Sequence, residues 1–311
     1  MTEENKKAKN QKQKVDPAND VIAENTVLEL TIPWKTAHRA YNQVLTQVAQ
    51  GLKAPGFRKG KVPVKMAEEK VGRAELVERT LNQVVPPAYQ RLIEEKKRKP
   101  LTQPEIKPLK LDWEQDWLLE VQIAEEPKVT LGDYKKAVKK GKADHEKEHA
   151  QEEKDKKDKK ATKDTHGHDH DHQEEDHLLQ HIFKELVTSV KPRIPELLLK
   201  EQTRAELQRL ARSLEQMKIS VDDYLKRRGM TFEQLSQELA TVALGQLQVE
   251  YILKAVVAEE KLDATDKEIA AKKDEMIKQG SQKESLETEY AQNYLKSVVT
   301  RDKVIQHLLK L

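Results

Sequence analysis

The 311-residue chain contains no cysteine and few aromatic residues. The absence of cysteine excludes disulfides, thiolate metal sites and cysteine nucleophiles, and it fits a reducing compartment. Aromatic residues make up 4% of the chain and charged residues 36%, so we expect separate modest cores rather than one large core. No segment approaches the run of roughly 18 apolar residues that a membrane-spanning helix needs.

An apolar stretch is also missing from residues 1–20, which are polar throughout. They lack the apolar core of a secretory signal peptide, so we expect a cytoplasmic protein without a membrane partner. Residues 1–24 are predicted to be a disordered tail. The net charge of +3 says little about binding partners. Partners are therefore inferred from where charged residues cluster along the sequence.

The first half of the chain changes its hydrophobic period several times. Leu28, Leu30 and Ile32 alternate with their neighbours and predict a strand, whereas the spacing after Thr36 predicts a helix. Helices over about 64–71 and 74–97, the second interrupted by Pro86-Pro87, precede two strands near 105–111 and 117–123. Residues 25–138 are therefore predicted to form an α+β domain that ends in an extended linker.

Residues 139–176 contain no Val, Leu, Ile, Met or aromatic side chain. Such a segment cannot bury enough apolar surface to offset its ordering entropy, so we predict a disordered, His-rich tether. In the extended piece before it, the apolar side chains are expected to dock on the C-terminal half; these are Val129, Leu131, Tyr134 and Val138.

Residues 177–311 have a helical period throughout and predict an all-α domain. Capping boxes beginning at Thr231, Thr265 and Ser281 mark three helix starts. The predicted helices cover approximately 178–190, 195–218, 220–228, 231–261, 265–279 and 281–310.

The most informative segment is the loop GFRKGKVP, Gly56 to Pro63. No acidic residue occurs between Leu30 and Ala67, a stretch that carries seven cations: Lys35, Arg39, Lys53, Arg58, Lys59, Lys61 and Lys65. A basic patch of this kind suits a phosphate-rich partner such as RNA, and Phe57 can anchor in an apolar pocket of a protein. The alternative is a solvated loop whose Phe folds back into the core.

This loop resembles the ribosome-binding signature of bacterial trigger factors, and PPAYQRLIEEKK, WLLEVQIAEEPKVTLGDY and IPELLLKEQ also resemble segments of that family. The resemblance covers about 25–138 and 178–311. It implies an N-terminal ribosome-docking domain and a C-terminal chaperone domain with helical arms of the trigger factor and SurA type. The implied partners are a protein and rRNA of the large ribosomal subunit at the tunnel exit, and nascent polypeptides held without nucleotide.

The resemblance also assigns roles within the loop. Phe57, Arg58 and Lys59 are implied as the central docking residues. The remaining positions shape the loop: Gly56, Gly60, Lys61 and Pro63. In the helical domain, apolar side chains are candidates for client contact, although ordinary core packing is the alternative for each; they are Met217, Met230, Phe232, Met276, Tyr290 and Tyr294.

The chain departs from the family in its middle. Trigger factors usually carry a prolyl isomerase domain of the FK506-binding type, for which residues 139–176 offer no aromatic-lined pocket. We therefore expect a chaperone without enzymatic activity. The rival interpretations are a degenerate isomerase, a metal-binding protein and an extracytoplasmic chaperone of the SurA type. The oligomeric state stays open, with a homodimer as one alternative.

Alternating histidines and aspartates occupy residues 166–172. His166, His168, His170 and His172 can bind Zn²⁺ or Ni²⁺ through imidazole nitrogens. The alternative is a hydrophilic spacer with incidental histidines. We expect adventitious metal binding and no resident cofactor.

Overall fold

The structure is a computed structural model that describes residues 21–53, 55, 57–58, 60–158, 170–278 and 284–311, apart from the side chains of 152–158, 170–173 and 284. It contains two compact units. The α+β unit comprises Glu24–Glu126 with Pro195–Glu201, and the helical unit comprises Pro127–Ile194 and Gln202–Leu311 with residues 21–23. Most of the predicted tail, residues 1–20, lies outside the described residues.

Strands are concentrated in the first half of the chain, and helices dominate the second. The first half contains β1 (Ile22–Ala23), β2 (Thr26–Ile32), α1 (Trp34–Gly51), α2 (Val64–Val71), α3 (Arg73–Lys96), β3 (Glu105–Lys110) and β4 (Trp117–Ile123). The second half contains α4 (Tyr134–Asp158), α5 (His170–Val190), β5 (Ile194–Pro195), α6 (Glu196–Gln216), α7 (Val221–Arg228), α8 (Phe232–Glu260), α9 (Asp266–Lys278), a 3₁₀ turn (Glu284–Leu286) and α10 (Glu289–Lys310).

The α+β unit is built on a three-stranded antiparallel sheet with strand order β2-β4-β3. Leu30 pairs with Leu119 and Ile32 pairs with Trp117. The alternation predicted from the sequence is confirmed, because these side chains are buried on one face while their neighbours are more exposed. The buried face packs against α1 and α3 and forms the core of the unit.

Helix α3 differs from its prediction, because it continues through Pro86 and Pro87 without interruption. Each proline removes one backbone hydrogen bond, which normally kinks or ends a helix. Here Val84 and Val85, directly before the prolines, are buried against the sheet. Packing against the sheet therefore outweighs the tendency of the two prolines to kink or end the helix.

The helical unit has its own core, to which α4, α5, α8 and α10 contribute. The capping box at Thr231 is formed, since its hydroxyl accepts from the amide of Gln234 and the Gln234 side chain accepts from the Thr231 amide. The box at Thr265 is also formed with Glu268. The predicted box at Ser281 lies outside the described residues, and α10 begins later than predicted, after an N-cap at Thr288.

The predicted extended linker and disordered tether are corrected over the described residues. Helix α4 covers Tyr134–Asp158 and α5 begins at His170, so the two form a helical hairpin. The first turns of α4 bury Tyr134, Ala137 and Val138 in the core of the helical unit. Because these first turns are packed in the core, α4 continues beyond Val138 into residues that carry no large apolar side chain. The expected docking of Val129, Leu131, Tyr134 and Val138 on the helical domain is confirmed.

The start of α6 also differs from the predicted domain boundary, because Pro195–Glu201 group with the α+β unit. The backbone amide of Leu197 donates to Oδ1 of Asn25 at 2.9 Å. Lys200 lies 3.4 Å from Glu105 of β3. These contacts cannot be predicted from the helical period alone, because they join residues far apart in the sequence.

Candidate functional site

The loop at residues 52–63, called the docking loop after the role expected from the sequence, connects α1 to α2 and is fixed at both ends. The amide of Leu52 donates to the carbonyl of Val48, and the Lys70 ammonium donates to the carbonyl of Lys53 at 2.8 Å. At the other end Val62 is buried, and the Pro63 carbonyl accepts the first helical hydrogen bond of α2, from Ala67. The two ends of the loop are thus held by the rest of the α+β unit.

A turn lies at the tip of this loop. The amide of Lys61 donates to the carbonyl of Arg58 at 2.9 Å, and Gly60 has a φ of 84°. A positive φ at the third position of such a turn favours glycine. A Cβ added at Gly60 would lie 3.8 Å from the carbonyl oxygen of Gln50, so backbone conformation, not space, explains the glycine.

Most of the described side chains of the loop are exposed, Val62 and Leu52 excepted. Phe57 retains 40% of its accessible surface, so its ring is not folded into the core. Arg58, Lys61 and Pro63 are also exposed, whereas Gly56 and Lys59 lie outside the described residues. A large exposed aromatic side chain next to cations can bury apolar area and contact phosphate in a single interface.

Two apolar residues beside the loop were missed by sequence reasoning. Val64 and Met66, in the first turn of α2, are 47% and 37% exposed. Their exposure reflects the packing of α2, which buries only one of its eight residues, Ala67. With Phe57, they are exposed apolar side chains in this part of the α+β unit.

The first carboxylate after the acid-free stretch is turned toward the protein. Glu68 accepts a hydrogen bond from the Tyr41 hydroxyl at 2.9 Å. Burial, and then this hydrogen bond, raises the pKa of Tyr41 to about 12. Glu68 is half-buried and bound to Tyr41 of α1, whereas the next carboxylate, Glu69, is exposed.

The helical unit contains a separate groove of about 1100 Å³ between α6, α8 and α10. Its apolar lining comprises Phe183, Leu247, Val249, Leu253, Val257, Tyr294, Val298 and Val304. Charged side chains border it, namely Glu206, Arg209, Glu250, Lys254, Asp263, Lys296 and Arg301. An apolar lining within a charged border suits weak binding of extended apolar segments.

Of the six predicted client residues, Tyr294 lines this groove. Four of the six are exposed, with Met217 at 57%, Phe232 at 52%, Tyr290 at 83% and Tyr294 at 55%. Met230 and Met276 are half-buried. The groove depends on how three helices pack, which the sequence pattern of any single helix does not specify.

The structure does not describe how the side chains of the four predicted histidine ligands are arranged. His166 and His168 lie outside the described residues, and His170 and His172 lie in the first turn of α5 with side chains that are not described. Among the described residues, no group of three or more histidine, aspartate or glutamate side chains is arranged to hold a metal ion. None of the described helices combines the length and apolar character that crossing a bilayer requires.

Family models were matched along nearly the whole chain. A model described as bacterial trigger factor protein matches residues 18–157, and one described as the bacterial trigger factor C-terminus matches residues 156–310. The chain belongs to the bacterial trigger factor family. Since the two matches overlap at residues 156 and 157, no unmatched stretch separates the N-terminal and C-terminal parts of this trigger factor.

Individual relatives agree with this assignment. The trigger factor of Staphylococcus epidermidis is 36% identical over 109 residues, and that of Staphylococcus aureus is 35% identical over the same length. Each match covers 35% of this chain and 25% of the relative's length.

A solved structure concerned with promiscuous substrate recognition in folding and assembly activities of the trigger factor chaperone has a TM-score of 0.56. It is 15% identical, and the match covers 91% of this chain and 96% of that chain. At this identity the likeness supports the fold alone. The fold class predicted from the sequence is confirmed.

Proposed function

We propose that this trigger factor family member is a ribosome-associated chaperone that holds nascent polypeptides at the tunnel exit. The observation that carries the proposal is the docking loop, an exposed phenylalanine and several cations on a firmly anchored turn. Its proposed partners are a protein and the rRNA of the large ribosomal subunit. Such an assignment places the protein in the cytoplasm.

Docking divides into an apolar and an ionic contribution. Phe57 supplies apolar area that a pocket on a ribosomal protein can bury, while Arg58 and Lys61 supply charge for phosphates. The turn at Gly60 and the anchors at Val62 and Lys53 hold the loop before binding. A preformed loop loses less conformational entropy on association.

Holding requires exposed apolar surface and no chemical energy. The groove between α6, α8 and α10 offers apolar side chains within a charged border. Individual contacts with a client can stay weak, because tethering at the ribosome raises the effective concentration of chaperone at the emerging chain. Clients are then captured and released without nucleotide.

We further propose that the chain acts without prolyl isomerase chemistry. The two family matches meet at residues 156 and 157, and in the described residues this part of the chain is a helical hairpin. Uncatalysed isomerisation takes tens to hundreds of seconds, so an assay with a proline peptide detects even weak catalysis. Acceleration that disappears when the protein is mutated would overturn this part of the proposal.

Ribosome co-sedimentation tests docking. Replacing Phe57, Arg58 and Lys59 together with alanine is expected to weaken binding by on the order of thirtyfold or more, the loss of a hot spot of at least about 2 kcal/mol. The matched control replaces Leu109, Lys107 and Lys110 with alanine. These residues provide the same chemistry on exposed β3 of the same unit.

Both triple variants remove one apolar side chain and two cations, so a difference between them isolates the loop. Normal circular dichroism confirms that the loop variant is folded. Unchanged pelleting of the loop variant, or equal loss in both variants, contradicts the docking proposal.

Aggregation of a denatured client tests holding. Tyr294→Ser is expected to weaken suppression of aggregation, because Tyr294 lines the groove and is 55% exposed. Tyr290→Ser is the matched control, since Tyr290 lies one turn away on α10, is 83% exposed and does not belong to the groove lining. Equal activity of both variants and the parent chain would argue against the groove as the holding surface.

A further inference from the structure

Helix α2, which directly follows the docking loop, has little apolar anchorage of its own. All eight of its residues are described, and Ala67 alone among them is buried. The Pro63 carbonyl, at the end of the loop, accepts the first hydrogen bond of the helix from the amide of Ala67. The orientation of α2 therefore sets the direction in which this end of the loop runs, and polar contacts made by α2 weigh heavily in that orientation.

One such polar contact joins α2 to α1. The Tyr41 hydroxyl donates to Oε1 of Glu68 at 2.9 Å. Tyr41 is 2% exposed and Glu68 is half-buried, so bulk water competes little for this hydrogen bond. Burial, and then the bond to Glu68, raises the pKa of Tyr41 to about 12. The hydroxyl is therefore protonated and able to donate at neutral pH.

The Tyr41 ring is in turn packed against the loop between β3 and β4. The ring centroids of Tyr41 and Trp113 are 5.3 Å apart in an edge-to-face arrangement. The Arg73 guanidinium lies 4.1 Å from the Trp113 centroid, and Trp34 packs edge-to-face on the same indole at 4.5 Å. Edge-to-face and cation–π contacts of this kind are favourable. The Tyr41 ring thus has a defined position from which its hydroxyl reaches α2.

We propose that Tyr41 and Glu68 are positioning residues for ribosome docking, because their hydrogen bond holds α2 and the adjoining end of the docking loop in the orientation that binds. The inference rests on the function proposed above, and neither side chain contacts the partner. A loop held in its binding orientation loses less conformational entropy on association. When the hydrogen bond is lost, the competent orientation is less populated and the apparent affinity falls by that fraction.

Ribosome co-sedimentation of full-length variants tests the hydroxyl of Tyr41. Tyr41→Phe removes the donor and keeps the ring, and it is expected to weaken binding by about threefold to fivefold, as the loss of one buried hydrogen bond does. Tyr89→Phe is the matched control, since Tyr89 belongs to the same unit and its buried hydroxyl has no hydrogen-bond partner among the described residues. Binding of the control variant should be unchanged.

Two adjacent glutamates of α2 supply a second matched pair. Glu68→Ala and Glu69→Ala each remove one negative charge near the basic loop, which by itself strengthens attraction to rRNA. Because Glu69 is exposed, Glu69→Ala should bind ribosomes at least as tightly as the parent chain. Glu68→Ala should bind about threefold or more weakly than Glu69→Ala, because it also loses the bond to Tyr41. Glu68→Gln should restore binding, since its amide oxygen still accepts from the hydroxyl.

Two further readouts separate positioning from a loss of phosphate contacts and from a general loss of stability. Tyr41→Phe retains every cation, so the slope of log affinity against log salt concentration should stay that of the parent chain. Amide exchange should become faster at Lys61 and Ala67, whose hydrogen bonds form the turn of the loop and the start of α2. The amides of β4 should exchange as before, because the sheet does not depend on this hydrogen bond.

Equal binding by Tyr41→Phe and Tyr89→Phe, or by Glu68→Ala and Glu69→Ala, overturns the inference and leaves docking through the loop intact. Weaker binding accompanied by equally faster exchange in β4 also overturns it, because that result reports a general loss of stability. The triple replacement of Phe57, Arg58 and Lys59 distinguishes the remaining case. If that variant pellets as the parent chain does, docking through the loop fails, and the positioning role fails with it.

Discussion

The contact between α4 and α5 at Gly141 makes a quantitative prediction for Gly141→Ala. The new Cβ would lie 2.8 Å from Cα of Ile182, 2.9 Å from the carbonyl oxygen of His181 and 3.0 Å from the Ile182 nitrogen. All three are backbone atoms, so no side-chain rotation relieves the clash. Overpacking of this kind costs about 1–3 kcal/mol, against which the better helix propensity of alanine returns up to about 1 kcal/mol.

Gly245→Ala in α8 is the matched control, because nothing lies within 4 Å of a Cβ added there. That variant should gain up to about 1 kcal/mol from helix propensity. The free energy of unfolding should therefore be lower for Gly141→Ala than for Gly245→Ala by about 1–3 kcal/mol, the steric cost alone.

Urea denaturation followed by circular dichroism measures this difference. The three tryptophans, Trp34, Trp113 and Trp117, belong to the α+β unit, so tryptophan fluorescence reports on that unit and serves as an internal control. Equal stabilisation by both alanines would refute the close packing of the hairpin.

Further predictions concern pH and salt. Hydrogen bonds from the Thr265 backbone and then from Lys303 lower the pKa of Glu268 to about 2 from its usual value of 4.5. Stability from this carboxylate is therefore present above pH 4.5 and is lost as the pH falls toward 2, and Glu268→Gln should reduce the acid sensitivity of unfolding in that window. The Tyr41 hydroxyl, whose pKa is raised to about 12 mainly by burial, contributes stability below pH 10 that is lost between about pH 10 and 12, and Tyr41→Phe should remove that alkaline loss. Ribosome binding should weaken as salt rises, and the triple loop variant should reduce the slope by about two, roughly one for each cation removed. Unfolding curves at several pH values and pelleting at several salt concentrations check these three expectations.

The sequence predicts a helix or strand correctly where a single hydrophobic period extends over the whole element. Leu30, Ile32, Trp117 and Leu119 alternate because one face of a small sheet is buried, and this pattern is visible without a structure. The exposed, basic character of the docking loop was equally visible, since it depends on local composition.

Helix α4 was missed because its apolar content ends early. Tyr134, Ala137 and Val138 have helical spacing, yet the prediction places them at the end of an extended piece and assigns Gly141 to the disordered tether. The charged turns that follow carry no period of their own, and they are helical because the first turns are anchored in the core. The groove at Tyr294 was also beyond prediction, since three helices distant in sequence create it.

Photo-crosslinking on translating ribosomes tests the central claim most directly. A photoreactive residue at position 294, in the groove, is expected to crosslink to nascent chains, whereas one at the exposed position 222 on α7 is not. Combining position 294 with alanine at Phe57, Arg58 and Lys59 should abolish the nascent-chain crosslink while crosslinking to a denatured client in solution persists. Nascent-chain crosslinks of equal yield with and without the loop residues would contradict a chaperone that docks through this loop.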